Sequence, residues 1–350
     1  MKTINIENRK IGPGQPVFIV AEMSGNHNQD IKRALKIIDA AADAGADAVK
    51  LQTYTADTMT IDSDAPDFVL TWKGKKQTFH NLYRDAYTPW KWHKKLFAHA
   101  NKRGLICFST PFDETAVTFL QRLNAPVYKV ASFEVVDIPL LEAIGKTKKP
   151  VIMSRGMATL EELVLAVKTL RKFGTNDIVL LQCVSSYPAR PEDMHLLNIP
   201  DLRKRFGVVV GLSDHTLGND SAIASVALGA RVIEKHMTLK RADGGPDSIF
   251  SLEPEEFAAL VRSVRTVEAA MGKPSYKQSA DEKKMVIFRR SLFVVKDMKK
   301  GECFTRENVR SVRPGAGMAP KYYRAVLGKR AARNIAFATP LRPALIAKKR

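Results

Sequence analysis

The chain has 350 residues, enough for one large domain and a smaller companion, and its 45% hydrophobic and 26% charged residues exclude a disordered or fibrous protein. Its three cysteines (Cys107, Cys183 and Cys303) are too few and too scattered for a disulfide framework or a zinc knuckle. No run reaches the roughly 18 apolar residues of a membrane span, and the opening MKTINIENRKIG lacks a signal-peptide core, so a cytoplasmic protein with no membrane partner is expected.

The formal charge of +20 admits nucleic acid, anionic surfaces or acidic small molecules as partners. The bases are spread along the chain, and only Lys73–Lys76 and the tail Lys348, Lys349, Arg350 are dense. No nucleic-acid-reading motif accompanies them. The favoured reading is a surface that draws in anionic substrates. A nucleic-acid or polyanion-binding protein is the rival from another class, and it predicts tight, salt-sensitive binding.

Along the chain, eight apolar runs of strand length recur: Val17–Glu22, Ala48–Gln52, Leu105–Ser109, Val127–Ser132, Pro150–Ser154, Ile178–Cys183, Val208–Ser213 and Arg231–His236. They are nearly continuous in hydrophobicity and rich in Val and Ile, as buried parallel strands are. Amphipathic segments lie between them. Ile31–Ala44 stops at Gly45; Thr159–Phe173 opens on a capping threonine with Glu161 and Glu162 in its first turn; Asp220–Leu228 and Glu255–Met271 end at Gly229 and Gly272. Eight strand–helix units predict an α/β fold, a (β/α)8 TIM barrel, over an open doubly wound sheet. Residues 54–91 lack clear periodicity and read as a long insertion at the barrel mouth. The barrel is expected over residues 1–272, a polar linker over 273–288, and a small β-rich domain over 289–350.

Active sites of such barrels lie at the C-terminal strand ends. There the sequence places Glu22, then Asn26 and His27; Lys50 and Gln52; Ser109 and Thr110; Lys129, Ser132 and Glu134; Ser154; Ser185, Ser186 and Tyr187; Ser213, Asp214 and His215; and Glu234, Lys235 and His236. Strand parity puts Phe18, Val20 and Glu22 on one face, as it does Lys50 with Gln52, and Val232 with Glu234 and His236, while Lys235 faces away.

His215 and His236 end neighbouring strands about 4.8 Å apart. Two imidazoles so placed suit one divalent ion, with Asp214 and Glu234 as supporting partners and positions left open for substrate. The other histidines (His27, His80, His93, His99 and His195) have surface or loop readings by default. Lysine is rarely buried without a partner, so inward Lys50 and Lys129 call for an anion. With Thr110, Ser132, Ser154, Ser185 and Ser213 they form a ring of donors for a phosphate and a carboxylate. Pairing of these lysines with Glu22, Glu134 or Glu234 is the plain alternative. Trp72, Trp90 and Trp92 suit either stacking on a sugar or packing within the insertion.

In order along the chain stand AEMSGNHN (21–28), AGADAVKLQTY (44–54), FSTPFD (108–113), YKVASFE (128–134), SRGMATLEE (154–162), GLSDHTLG (211–218), VALGARVIEKHMTL (226–239), GPDSIFSLEPEEF (245–257) and RPGAG (313–317). Together they resemble the sialic acid synthase family over essentially the whole chain. TWKGKKQTFHNLYRDAYTPWKWHKKLF (71–97), SFEVVDIPL (132–140) and SSYPA (185–189) are most similar to its pseudaminic branch. Arg155 departs from the small residue of the family motif, and Gln182 stands where many pseudaminic members carry lysine; both are expected near the phosphate.

The resemblance implies a TIM barrel with a C-terminal antifreeze-like (SAF) domain, swapped across a homodimer. It implies metal-dependent condensation of phosphoenolpyruvate with 2,4-diacetamido-2,4,6-trideoxy-altrose, giving a nonulosonic acid and phosphate. N-acetylneuraminate or legionaminate synthesis is the alternative. His215 and His236 would hold Mn2+, Mg2+ or Co2+. Lys50, Thr110, Lys129, Ser132, Ser154, Ser185 and Ser213 would bind phosphoenolpyruvate. Gln52, Tyr187 and Asp247 would face the sugar, with Glu22 beside them and Arg313 reaching in from the partner subunit. Glu22, Glu134 and Glu234 are the candidate catalytic carboxylates.

Overall fold

The structure, a computed structural model, describes residues 3–72 and 74–348. Lys73, Lys349 and Arg350 of the two basic clusters, and the side chain of Trp72, lie outside the described residues. The chain falls into two compact units, residues 1–272 and 273–350.

The first unit opens with a short hairpin, β1 (Ile4–Ile6) and β2 (Arg9–Ile11), and then alternates strands with helices. The eight predicted runs become β3 (Phe18–Glu22), β4 (Ala48–Thr53), β7 (Ile106–Pro111), β8 (Tyr128–Val130), β9 (Val151–Ser154), β10 (Ile178–Cys183), β11 (Val209–Asp214) and β12 (Val232–His236). They close into a parallel barrel in the order β10-β11-β12-β3-β4-β7-β8-β9. Phe18, Val20, Ala48, Phe108, Val127, Ile152, Leu181 and Val232 fill the interior with Ile4, Ile6 and Ile11 of the hairpin, so the hairpin plugs the N-terminal end of the barrel. The opposite residues of each strand pack under the surrounding helices. The open end is therefore the C-terminal one, where the polar strand ends converge.

The helices start where their caps dictate. In α1 (Ile31–Asp43), Asp30 accepts from the Lys32 amide; in α7 (Leu160–Lys172), Thr159 and Glu162 cap each other's amides reciprocally. The remaining helices of this unit are α2 (Ala56–Met59), α3 (Phe79–Ala86), α4 (Trp90–Lys102), α5 (Glu114–Arg122), α6 (Ile138–Lys146), α8 (Asn198–Phe206), α9 (Asp220–Ala227) and α10 (Pro254–Met271).

Two expectations need refinement. The insertion is ordered: α2, the antiparallel hairpin of β5 (Val69–Trp72) and β6 (Lys75–Thr78), and α3 fold within it. Each element has four to eight residues, too few for a period to show in the sequence. The fourth apolar run stops at Val130, and Ser132–Val136 turn into a 3₁₀ helix that carries Ser132 and Glu134 over the mouth.

In the second unit the polar stretch 273–288 contains α11 (Ala280–Lys284) with a Ser279–Glu282 capping box, and a 3₁₀ turn over Met285–Phe288. β13 (Ser291–Val294) pairs antiparallel with β14 (Val309–Val312), and α12 (Tyr323–Val326) follows. Leu292, Val294, Phe304, Val309 and Leu341 form this unit's own core. Among the described residues no helix is long and apolar enough to cross a membrane.

Candidate active site

A cavity of about 630 Å³ opens at the C-terminal end of the barrel. Lys50, Gln52, Lys129, Ser132, Glu134, Ser154, Ser185, Tyr187, Ser213, His215, Glu234, His236 and Asp247 all line it. Parity explains the set: Ala48-Lys50-Gln52, Val127-Lys129, Ile152-Ser154 and Val232-Glu234-His236 each share a face, apolar at the bottom and polar at the top.

Both lysines are buried, and both meet carboxylates. The Lys50 ammonium donates to Thr110 Oγ1 at 3.2 Å, lies 2.5 Å from Glu22 Oε2 and 3.7 Å from Glu234 Oε1. Lys129 donates to Ser154 Oγ at 2.8 Å and to Val130 O at 3.3 Å, and lies 3.5 Å from Glu234 Oε1. The ion-pair alternative is thus realised with Glu22 and Glu234, yet the cavity stays open beside both ammoniums.

Charge decides what the cavity can take. Burial pushes Glu22 up to about 7 against the pull of Lys50. Burial also works against ionised Glu234, but Lys129 and Lys50 outweigh it and hold this carboxyl below its ordinary value. Burial opposes the Lys50 ammonium too; Glu22 and Glu234 hold its pKa above the usual lysine value, whereas burial lowers that of Lys129. Two ammoniums therefore face one firmly ionised carboxylate and one half-ionised carboxyl. Positive and negative groups are closely balanced here, so an anion seated in the cavity would be favoured by a further cation.

The two histidines at the β11 and β12 ends supply a place for one. Their ring centroids are 5.3 Å apart. His215 Nδ1 donates to Val184 O at 2.8 Å, which leaves Nε2 with the lone pair. His236 Nδ1 is buried without a hydrogen-bond partner, 3.7 Å from Asp247 Oδ2. Burial lowers both imidazole pKa values, so both rings are neutral, as metal ligands must be. Among the described residues no group of three or more His, Cys, Asp or Glu side chains is set to hold a metal. The donors that fit one are the two imidazoles, with the remaining positions open to water and substrate.

Not every expected residue faces the cavity. Thr110 meets the site through Lys50. Ser109 turns outward to Thr53 at 2.6 Å, and Ser186 is exposed and donates to Pro188 O. Asp214 makes no hydrogen bond to either histidine ring; it faces outward and pairs with Lys235, whose outward parity is as predicted. Gln182 also lies on the outer face of its strand and Arg155 just past the end of β9; Arg155 Nε donates to Gln182 Oε1 at 2.8 Å and Gln182 Nε2 to Met194 O at 2.8 Å. They brace the loop after β10, and neither lines the cavity. Trp90 stacks on Phe119 at 4.6 Å and donates to Tyr54 O, and Trp92 packs on His27 edge-on, so both take the packing role. His27, in the turn after β3, and His93, in α4, are both fully buried beneath that packing rather than on the surface. Arg313 is exposed in the second unit.

Other contributors were not foreseen. Met59, Leu70, Phe79, Leu82 and Tyr83 of the insertion give the cavity an apolar wall, and Cys183 lies in its floor. Gly156 supports the serines. At φ +49°, a Cβ there would lie 2.1 Å from Ser132 Cβ and 2.7 Å from Ser185 Oγ, the two serines that hydrogen-bond at 2.7 Å. The glycine of the SRGMAT motif is the sequence signal for this close approach. Gly156→Ala is expected to cost about 3 kcal/mol and to raise the KM for the phosphate-bearing substrate; a melting curve and steady-state kinetics check this.

Glu134 reaches the cavity with Oε2 unpartnered. Burial raises its pKa from 4.5 to about 7, with Lys129 opposing. The folded protein therefore holds this proton between pH 4.5 and 7 more tightly than the unfolded chain, and the stability it lends is lost as pH rises through that window. Glu134→Gln removes the penalty. It should be more stable than the native chain by about 2 kcal/mol at pH 8 and equal to it at pH 4, read from urea midpoints.

Fold and site define a TIM-barrel protein whose strand ends bring two buried lysines and two converging histidines to one cavity. The chain belongs to the NeuB family, whose model matches residues 37–276, and it carries a SAF domain at residues 289–347. It is 46% identical over 331 residues to the pseudaminic acid synthase of Campylobacter jejuni, covering 93% of this chain and 95% of that one. The pseudaminic acid synthase of Helicobacter pylori is 43% identical over 332 residues, with 93% and 97% covered. Among solved structures, the N-acetylneuraminic acid synthetase of Leptospira borgpetersenii superposes with a TM-score of 0.73 at 34% identity, covering 81% of this chain and 95% of that one. The protein is accordingly an enzyme, a transferase that forms a carbon–carbon bond.

Proposed function

We propose that this enzyme is a pseudaminic acid synthase. It joins phosphoenolpyruvate to 2,4-diacetamido-2,4,6-trideoxy-altrose, giving the nonulosonic acid and inorganic phosphate. The observation that carries the reading is the convergence of His215 and His236 in one cavity with Lys50 and Lys129. The 46% identity to a pseudaminic acid synthase supports the choice of this sugar.

The residues divide the work by position. Lys129, Ser154, Ser132, Ser185 and Ser213 cluster on one side and bind the phosphate and carboxylate of phosphoenolpyruvate, with Lys50 held by Thr110 at their edge. Gln52, Tyr187 and Asp247 face the sugar. A divalent ion held by His215 and His236 (Mn2+, Mg2+ or Co2+) would supply Lewis acidity to the aldehyde oxygen.

C3 of phosphoenolpyruvate attacks the aldehyde carbon, and water adds at C2. The tetrahedral intermediate expels phosphate by breaking the C2–O bond. Lys50 and Lys129 stabilise the anionic groups throughout. Glu134, which lines the cavity with its pKa raised by burial, is suited to move a proton to and from the attacking water and the new hydroxyl, and Glu22, buried behind Lys50 and Gln52, is the second candidate; Glu234 keeps the two ammoniums oriented. The barrel carries the catalysis, and the SAF domain of a swapped homodimer presents Arg313 to the partner's sugar. A cytoplasmic setting suits both substrates.

The test is incubation with phosphoenolpyruvate, Mn2+ and a panel of amino sugars, read by mass spectrometry of the product. Product from the diacetamido-trideoxy-altrose supports the reading. Product only from N-acetylmannosamine or the legionaminic precursor replaces it with the neuraminate or legionaminate alternative.

A further inference from the structure

We infer that the buried pair Lys235–Asp214, outside the cavity, is a positioning device that sets how His215 and His236 face each other. The inference rests on the reading of those histidines as metal ligands.

Asp214 and Lys235 are in-register neighbours at the tips of β11 and β12, each immediately before one of the two histidines. Strand alternation sends the histidines toward the cavity and this pair to the opposite face. Both side chains are 0% exposed. Lys235 Nζ donates to Asp214 Oδ2 at 2.7 Å and to Thr216 O at 2.6 Å. Asp214 Oδ1 accepts from the Thr216 amide at 2.9 Å and from Thr216 Oγ1 at 2.8 Å.

His215 is thus bracketed. The residue before it and the residue after it are tied to one ammonium, and that ammonium belongs to the residue preceding His236. Cohesion alone does not account for the arrangement, because a buried ion pair is costly to desolvate and well-packed apolar residues of similar volume often stabilise as much or more. What the charged pair adds is direction. Two directed contacts from Lys235 tie the two strand tips together, and two more between Asp214 and Thr216 brace the turn that carries His215, where apolar side chains would impose no direction. The ring separation of 5.3 Å is the quantity so fixed. None of the four contacts reaches the cavity or a substrate, so the pair acts through the histidines.

The test compares the wild type, His236→Ala, and the double variant Asp214→Leu/Lys235→Met. Mn2+ affinity is measured by electron paramagnetic resonance titration of free Mn2+, and stability by calorimetry. The wild type should bind one Mn2+ per chain and His236→Ala none. The double variant should melt at or above the wild-type temperature and bind Mn2+ roughly 10- to 100-fold more weakly.

A double variant as stable as the wild type that binds Mn2+ equally tightly overturns the inference and leaves the metal reading intact. A wild type that binds no Mn2+ overturns both. Should the double variant fail to fold, Thr216→Val decides, since it deletes one of the four contacts and leaves the ion pair. About 3- to 10-fold weaker Mn2+ binding supports the device, and unchanged binding overturns it.

Discussion

His236→Ala is expected to abolish turnover at saturating substrates while leaving the fold intact. The ring sits at the end of β12, 5.3 Å from that of His215, and its Nδ1 makes no hydrogen bond that the fold depends on. A Lewis acid at a developing alkoxide contributes several kcal/mol; about 4 kcal/mol corresponds to roughly a thousandfold in rate. Removing one of two protein ligands should lose nearly all of it, since the other histidine alone cannot retain the ion. Phosphate release at saturating phosphoenolpyruvate and sugar measures the loss, and circular dichroism checks the fold. Wild-type turnover would remove the two-histidine centre from the mechanism.

The second large effect is expected at Lys129. Its ammonium is buried, donates to Ser154 and lies 3.5 Å from Glu234. Lys129→Met removes the cation on the serine-lined side of the cavity and leaves Glu234 with Lys50 alone. Loss of a buried charged contact to an anionic group costs about 2–5 kcal/mol, or roughly 30- to 3000-fold. The loss should appear in kcat/KM for phosphoenolpyruvate, while the KM for the sugar changes little. Steady-state kinetics with each substrate varied in turn separate the two. An equal rise in both KM values would place Lys129 away from the phosphate.

The barrel was readable because its strands are buried on both faces. Eight Val- and Ile-rich runs cannot hide, and period-two parity then assigns Lys50 and His236 to the cavity and Glu22 to the interior beside Lys50. Parity also sends Lys235 outward, but it says nothing of what an outward lysine meets. That Lys235 takes Asp214, which the sequence offered as support for the histidines, follows from in-register pairing of β11 and β12, a relation between distant segments.

The insertion was opaque for a different reason. β5 and β6 have four residues each and α3 only eight, too few for a period to stand out, so the apolar wall of Leu70, Phe79 and Leu82 appears only once they fold over the mouth. Arg155 and Gln182 were placed near the phosphate on motif position alone. Gln182 sits on the outer face of β10 and Arg155 just past the end of β9, and each takes a hydrogen bond outside the cavity lining. Gly156 was missed because its role is the space it leaves empty beneath Ser132 and Ser185.

The account is tested most directly by anomalous diffraction at the manganese edge from crystals grown with Mn2+ and phosphoenolpyruvate. It predicts one strong peak between the rings of His215 and His236, with the enol phosphate against Lys129, Ser154 and Ser132. Manganese bound elsewhere, or phosphoenolpyruvate seated away from both lysines, would contradict it.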